Sequence, residues 1–119
     1  MTGPRPLEIR LKTAERALAI SFDDGSEFLL TAEYLRVESP SAEVQGHSPS
    51  QKQTVPGCRN VAIREVEQVG HYAIRIHFDD GHDTGIYSWD YLFELGIEQE
   101  MCWPAYLKAL EARDLSRDK

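Results

Sequence analysis

Positive charge, cysteine and long apolar runs are all scarce in this chain, and each scarcity narrows the range of functions. The 119 residues hold 13 Lys and Arg against 20 Asp and Glu, a formal net charge of -7. Between Ile76 and Leu107 there is no Lys or Arg, whereas Asp79, Asp80, Asp83, Asp90, Glu94, Glu98 and Glu100 supply seven acids. Such a surface repels phosphate, which disfavours nucleic acid and anionic membranes as partners. The two cysteines, Cys58 and Cys102, make no disulfide framework. No apolar run approaches the roughly 20 residues of a membrane span, and Met1-Thr2-Gly3-Pro4-Arg5-Pro6 has no signal-peptide core. A soluble, cytoplasmic, monomeric domain is the expectation.

What is present is a repeat. Phe78-Asp79-Asp80-Gly81 followed by Tyr91-Leu92 echoes Phe22-Asp23-Asp24-Gly25 followed by Tyr34-Leu35. Asp-Gly between apolar runs signals a tight hairpin, so each copy reads as strand, turn, strand and a segment with a Tyr-Leu anchor. Leu7, Ile9 and Leu11, then Leu18, Ile20 and Phe22, alternate with polar or small residues as half-buried strands do. Phe28-Leu29-Leu30 is a third strand, and Thr31 caps a short helix that turns Tyr34 and Leu35 inward. Val61 and Ile63 lead into the run Tyr72, Ile74, Ile76 and Phe78, and Thr84 to Tyr87 returns as a strand. Ser88 then caps a helix through Leu95 that Gly96 closes, and a last helix runs from Pro104 to near Leu115.

The pieces give an α+β fold: a small antiparallel β-sheet domain with short helices, built from two related strand-DG-strand-helix units. Residues 1–6 read as a loose tail, 7–115 as one domain and 116–119 as a frayed end. Within the domain, residues 38–60 form a long loop rich in Pro, Gly, Ser and Gln, a length that is usually functional or disordered.

Few chemical motifs survive inspection. His77-Phe78-Asp79 matches the H-x-D of a facial iron triad, but the only later histidine, His82, is too close to complete it. Asp79 to Asp83 has turn chemistry rather than the spaced oxygens and closing Glu of an EF-hand. His47, Cys58 and His82 could supply metal ligands, yet no C-x-x-C or H-x-x-x-H pair supports zinc. No Ser lies in a G-x-S-x-G elbow; Ser39 or Ser41 with His47 would be the hydrolase candidates on proximity alone.

Tyr34-Leu35-Arg36, Ser39 to His47, Gly70 to Ile74, Asp80-Gly81-His82 and Gly85-Ile86-Tyr87-Ser88-Trp89 together resemble the gamma-butyrobetaine-hydroxylase-like N-terminal domain family over about Leu7 to Gly96. In the hydroxylase this domain carries a structural zinc on three cysteines after a Leu-Arg pair and a histidine after an Asp-Gly turn. The resemblance therefore implies that Ser39, Ser41 and Val44 stand where the cysteines would fall and that His82 alone remains. Loss of the structural zinc, and no other cofactor, is the expectation. The catalytic iron of that enzyme sits in another domain, so hydroxylase activity is not expected. Fusions of related domains to an iron–sulfur ATPase imply a non-enzymatic accessory or protein-interaction role linked to iron–sulfur or oxygenase metabolism. Arg36, Ser39, Ser41, His47, His82, Tyr87 and Trp89 are the expected contact residues for an unknown protein partner. The alternative is a zinc- or iron-binding protein using His82 with His47 or Cys58.

Overall fold

A computed structural model describes residues 3–46 and 51–118. Strands β1 (Pro6–Lys12), β2 (Ala17–Phe22) and β3 (Glu27–Thr31) lead into helix α1 (Ala32–Val37) and the short helix α2 (Ala42–Gln45). Strands β4 (Ile63–Val69), β5 (Ala73–Phe78) and β6 (Ile86–Ser88) lead into helix α3 (Trp89–Ala112). The strands make two antiparallel three-stranded sheets, ordered β1-β2-β3 and β4-β5-β6, so the α+β architecture with antiparallel pairing stands.

The duplication extends to individual hydrogen bonds. In the central strands Leu18, Ile20 and Phe22 point inward, and so do Ile74, Ile76 and Phe78, each pair 56 residues apart (18 to 74, 20 to 76, 22 to 78). Both first strands carry a register shift at the same place, between Pro6 and Glu8 and between Ile63 and Glu65. Asp23 N–H donates to Arg5 O and Asp79 N–H to Ala62 O, while Asp23 and Asp79 each take back an N–H from that same residue on Oδ1. Both Asp-Gly turns place glycine at φ 92°, a region that costs other residues strain, and both use Asp Oδ1 to accept the N–H two residues on, from Ser26 and His82. A one-residue register slip would turn the apolar row to solvent, so each sheet is fixed by burial of that row in one shared core.

The helices begin alike. Thr31 Oγ1 accepts from Tyr34 N–H and Ser88 Oγ from Tyr91 N–H, each at 3.1 Å, as N-cap hydroxyls do. The capped turns place the two tyrosines to reach across the molecule. Tyr34 O–H donates to Leu95 O at 2.7 Å, four residues beyond Tyr91, and Tyr91 O–H donates to Glu38 O, four residues beyond Tyr34.

The structure corrects the sequence reading at the last helix. Gly96 and Pro104 do not divide two helices: α3 is one helix of 24 residues with Pro104 inside it. Gly96 serves close packing instead, since a Cβ there would lie 2.5 Å from the Phe28 ring, which sits in an edge-to-face group with Phe22 and Phe93. The described part of the 38–60 segment, which the sequence left open between a functional and a disordered loop, is tied down, with α2 inside it, Gln53 N–H donating to Val44 O and Tyr106 O–H donating to Val55 O. Residues 116–118, expected to be a frayed tail, make contacts with the domain. Arg117 binds buried Glu33 with two hydrogen bonds of 2.6 and 2.8 Å and lies 5.3 Å over the Trp103 ring, and Arg59 N–H donates to Arg117 O.

Two expectations follow. Tyr34→Phe and Tyr91→Phe, each leaving a carbonyl without its phenol, lower stability by about 1–2 kcal/mol in equilibrium urea unfolding. Gly96→Ala, which in an open helix would stabilise by about 1 kcal/mol, destabilises here by about 1–3 kcal/mol because the methyl meets Phe28; combining it with Phe28→Leu restores part of the loss, and a stabilised single variant would refute the packing role.

Candidate functional site

The two copies diverge at one place, and the candidate site lies there. Thr31 lies six residues after Gly25, whereas Ser88 lies seven after Gly81 (25 to 31, 81 to 88). In the first copy β3 pairs with β2 at five positions; in the second, β6 pairs with β5 at three, and after His82, whose carbonyl accepts the Phe78 N–H as Ser26 accepts that of Phe22, the residues Asp83, Thr84 and Gly85 leave the sheet. That released segment docks on the chain leaving α1.

The contacts form a latch. His82 Nε2 lies 2.8 Å from Ser39 Oγ, and Ser39 Oγ also accepts the Ser41 N–H at 3.3 Å. Ser41 caps α2 through the Glu43 N–H, and its Oγ lies 2.8 Å from Thr84 Oγ1. Thr84 in turn donates to Glu43 Oε1 at 2.5 Å, while Gln45 holds Ser39 O at 2.8 Å. Arg36, at the last turn of α1, pairs with Asp80 at 2.8 Å, and Asp80 also takes the His82 N–H. Gly85 is required for this approach, because a Cβ there would stand 2.4 Å from Ser39 Oγ.

Burial sets the charges. The His82 side chain is 6% exposed; burial pushes its pKa below the ordinary 6.5, and Arg36 pushes the same way, against the pull of Glu43, Asp80 and Asp83. A neutral ring leaves Nε2 free to accept the Ser39 O–H, with Nδ1 turned to Glu43 Oε1 at 3.7 Å, beyond hydrogen-bond length. Glu43 is held below the usual carboxylate range by the Thr84 hydroxyl first and His82 next among the lowering contacts. Burial alone would raise Asp80, and the His82 N–H together with Arg36 outweighs it.

Four of the expected residues, Arg36, Ser39, Ser41 and His82, are thus brought together. Ser39 and Ser41 are buried, however, and act inside the latch. Tyr87 is fully buried, with its hydroxyl donating to Leu35 O at 2.6 Å, so it anchors α1 and presents no contact surface. Trp89 is half-buried, apart from the latch, its indole N–H donating to His71 O at 2.7 Å. His47 lies outside the described residues. Cys58 is buried in the core cluster with Sγ 3.5 Å from Pro56 O. Glu43, Asp80, Thr84 and Gly85 were missed. The extra residue between Gly81 and Ser88 was the signal that could have found the last two.

Chemistry at the latch is constrained. Ser39, Ser41, Val44 and His82 do not fit a zinc ion: two neutral hydroxyls, an isopropyl group and one imidazole offer a single good ligand. Among the described residues no group of three or more His, Cys, Asp or Glu converges as metal ligands do. Ser39, His82 and Glu43 follow the order of a hydrolytic triad, but Ser39 is 0% exposed and no described cleft reaches it. A cleft of about 620 Å³ opens elsewhere, between β1 and β4, lined by Leu7, Ile9, Leu11, Val66 and Ile74. Among the described residues no helix is long and apolar enough to cross a membrane.

Residues 9–93 match the family model described as gamma-butyrobetaine hydroxylase-like, N-terminal. Two similar proteins solved in solution by NMR share 42% and 45% identity, with TM-scores of 0.84 and 0.83; 98% of this chain is covered in both, and 92% and 90% of theirs. A crystal structure of a protein of unknown function of the DUF971 family, from Acidithiobacillus ferrooxidans ATCC 23270, is 43% identical over 77% of this chain and 92% of its own, with a TM-score of 0.66. No curated protein matches.

The latch makes stability pH-dependent in one direction. The unfolded chain protonates His82 near 6.5 and the folded chain resists it, so this contribution is complete above about pH 6.5 and is lost as pH falls through the lower folded value. Between about pH 7 and about pH 5, where the carboxylates stay ionised, the melting temperature of wild type falls more steeply than that of His82→Gln. Parallel curves for the two proteins would dismiss the neutral-histidine latch.

Proposed function

The chain belongs to the gamma-butyrobetaine hydroxylase-like N-terminal family, and from that premise we propose that it is a non-enzymatic accessory domain that engages a protein partner through the surface around the latch. The observation carrying this reading is the closure of the latch itself. Its nucleophile-like and base-like atoms are saturated by one another and buried, which suits them to shaping a surface rather than turning over a substrate. The surface so shaped consists of exposed residues on both sides of the joint, Ala42 and Glu43 from α2 and Asp83 and Thr84 from the turn. The same family resemblance favours a partner in oxygenase or iron–sulfur metabolism, by analogy of domain fusions.

Quantitative affinity capture from the native cell, comparing wild type with the double variant Ala42→Arg/Asp83→Lys, tests the reading. Neither side chain makes a latch hydrogen bond, so the variant keeps its melting temperature. One protein is retained by wild type and lost from the variant. Identical captured sets, or His82-dependent labelling of Ser39 by a fluorophosphonate, would overturn the proposal.

A further inference from the structure

Helix α3 is apolar on two faces. Leu92, Leu95, Tyr106 and Leu110 are buried against the core. At about 100° per residue, Asp90, Glu94, Ile97, Met101, Pro104 and Lys108 fall within one stripe on the opposite, solvent side. Ile97 is 60% exposed and Met101 68%, and Pro104 is exposed beside them. Single exposed apolar side chains are ordinary, but three in a row at helical spacing make a patch.

The rim of the patch is acidic and available. Glu94, Glu98 and Glu100 border it, and no ion pair among the described residues uses any of the three. Lys108, one turn beyond Pro104, is the only Lys or Arg that α3 itself carries. Pro104 has no N–H, so the carbonyl of Glu100 loses the donor that a regular helix would supply one turn on.

We propose that this face docks a cationic amphipathic helix of a protein partner. Its apolar stripe covers Ile97, Met101 and Pro104, while flanking Lys or Arg side chains meet Glu94, Glu98 and Glu100. Charge complementarity selects this occupant over a second copy of the chain, whose own acidic rim would face the same carboxylates. The surface shares no residue with the latch, so it stands or falls separately from the reading above.

Synthetic peptides test it directly. Three helical peptides of about 18 residues, about five turns, are titrated into ¹⁵N-labelled protein: leucines at helical spacing with outward lysines, the same with glutamates, and the lysine peptide in scrambled order. The ordered lysine peptide shifts amides between Glu94 and Ala105 saturably, the other two do so far more weakly, and added salt weakens the complex. Ile97→Ser/Met101→Ser and Glu94→Lys/Glu100→Lys, all at exposed sites, each weaken binding about tenfold or more. Absence of saturable binding, shifts centred outside α3, or unchanged affinity in both variants would overturn the proposal. So would concentration-dependent broadening of Ile97 and Met101 without peptide, which assigns the face to self-association.

Discussion

Tyr34 and Tyr91 hold the two halves of the molecule together by donating across to each other's helix. The geometry works because both sit at the third position after a hydroxyl cap, so the same local rule aims both rings at the core. The benefits differ. Glu38 is the C-cap of a helix only six residues long, and its carbonyl has no intrahelical partner, so Tyr91 satisfies a group that would otherwise be buried unpaired. Tyr87 does the same for Leu35 O, another of the last carbonyls of α1. A helix of that length is marginal in water. Here two phenols from the second half of the chain complete its open end, and burial raises the pKa of both, keeping them protonated donors.

Duplication followed by divergence explains where the surface chemistry lies. The first strand pairs, the bulges and the Asp-Gly turns are the same in both halves to the level of single N–H donors, so these parts are constrained by the fold. Beyond Gly81 one added residue shortens the last strand and frees His82 and Thr84 to meet Ser39 and Ser41. The second helix is also extended to 24 residues, which gives it a solvent face that six-residue α1 has no length to form. Both candidate surfaces thus arise where the copies stopped being alike.

How much of this could be read beforehand follows from the range of the interactions. Alternation at Leu18, Ile20, Phe22 and at Ile74, Ile76, Phe78, and the repeated Phe-Asp-Asp-Gly, are local signals, and they placed the strands, the turns and the capped helix starts. Gly96 and Pro104 misled because their local preference for ending a helix is outweighed by tertiary packing: Gly96 admits Phe28, and Pro104 faces solvent, where its missing bond is cheap. Arg117 was unreadable for the same reason, since its acid, Glu33, lies 84 residues away. The latch was half legible. Family resemblance pointed to Ser39, Ser41 and His82, and the extra residue after Gly81 is the one local sign of Thr84 and Gly85; nothing local announces that Glu43 meets Thr84, 41 residues away.

Hydrogen bonds alone do not make the latch firm. Each neutral pair contributes on the order of 1 kcal/mol net, and the exposed Thr84–Glu43 contact less. Burial of Val37 at 1% and Val44 at 2% on either side of Ser39 and Ser41 supplies more, at about 1.5–3 kcal/mol for a well-buried valine. The apolar residues therefore bring the strap down, and the hydroxyls and imidazole decide where it sits. That division favours a neutral imidazole. A charged His82 would place a second cation beside Arg36 in a buried site, which the carboxylates of Glu43, Asp80 and Asp83 do not outweigh, and the desolvation cost would fall on the joint that positions α2. Valine at position 44 fits the same scheme, since it closes apolar surface where a polar group without a partner would open it.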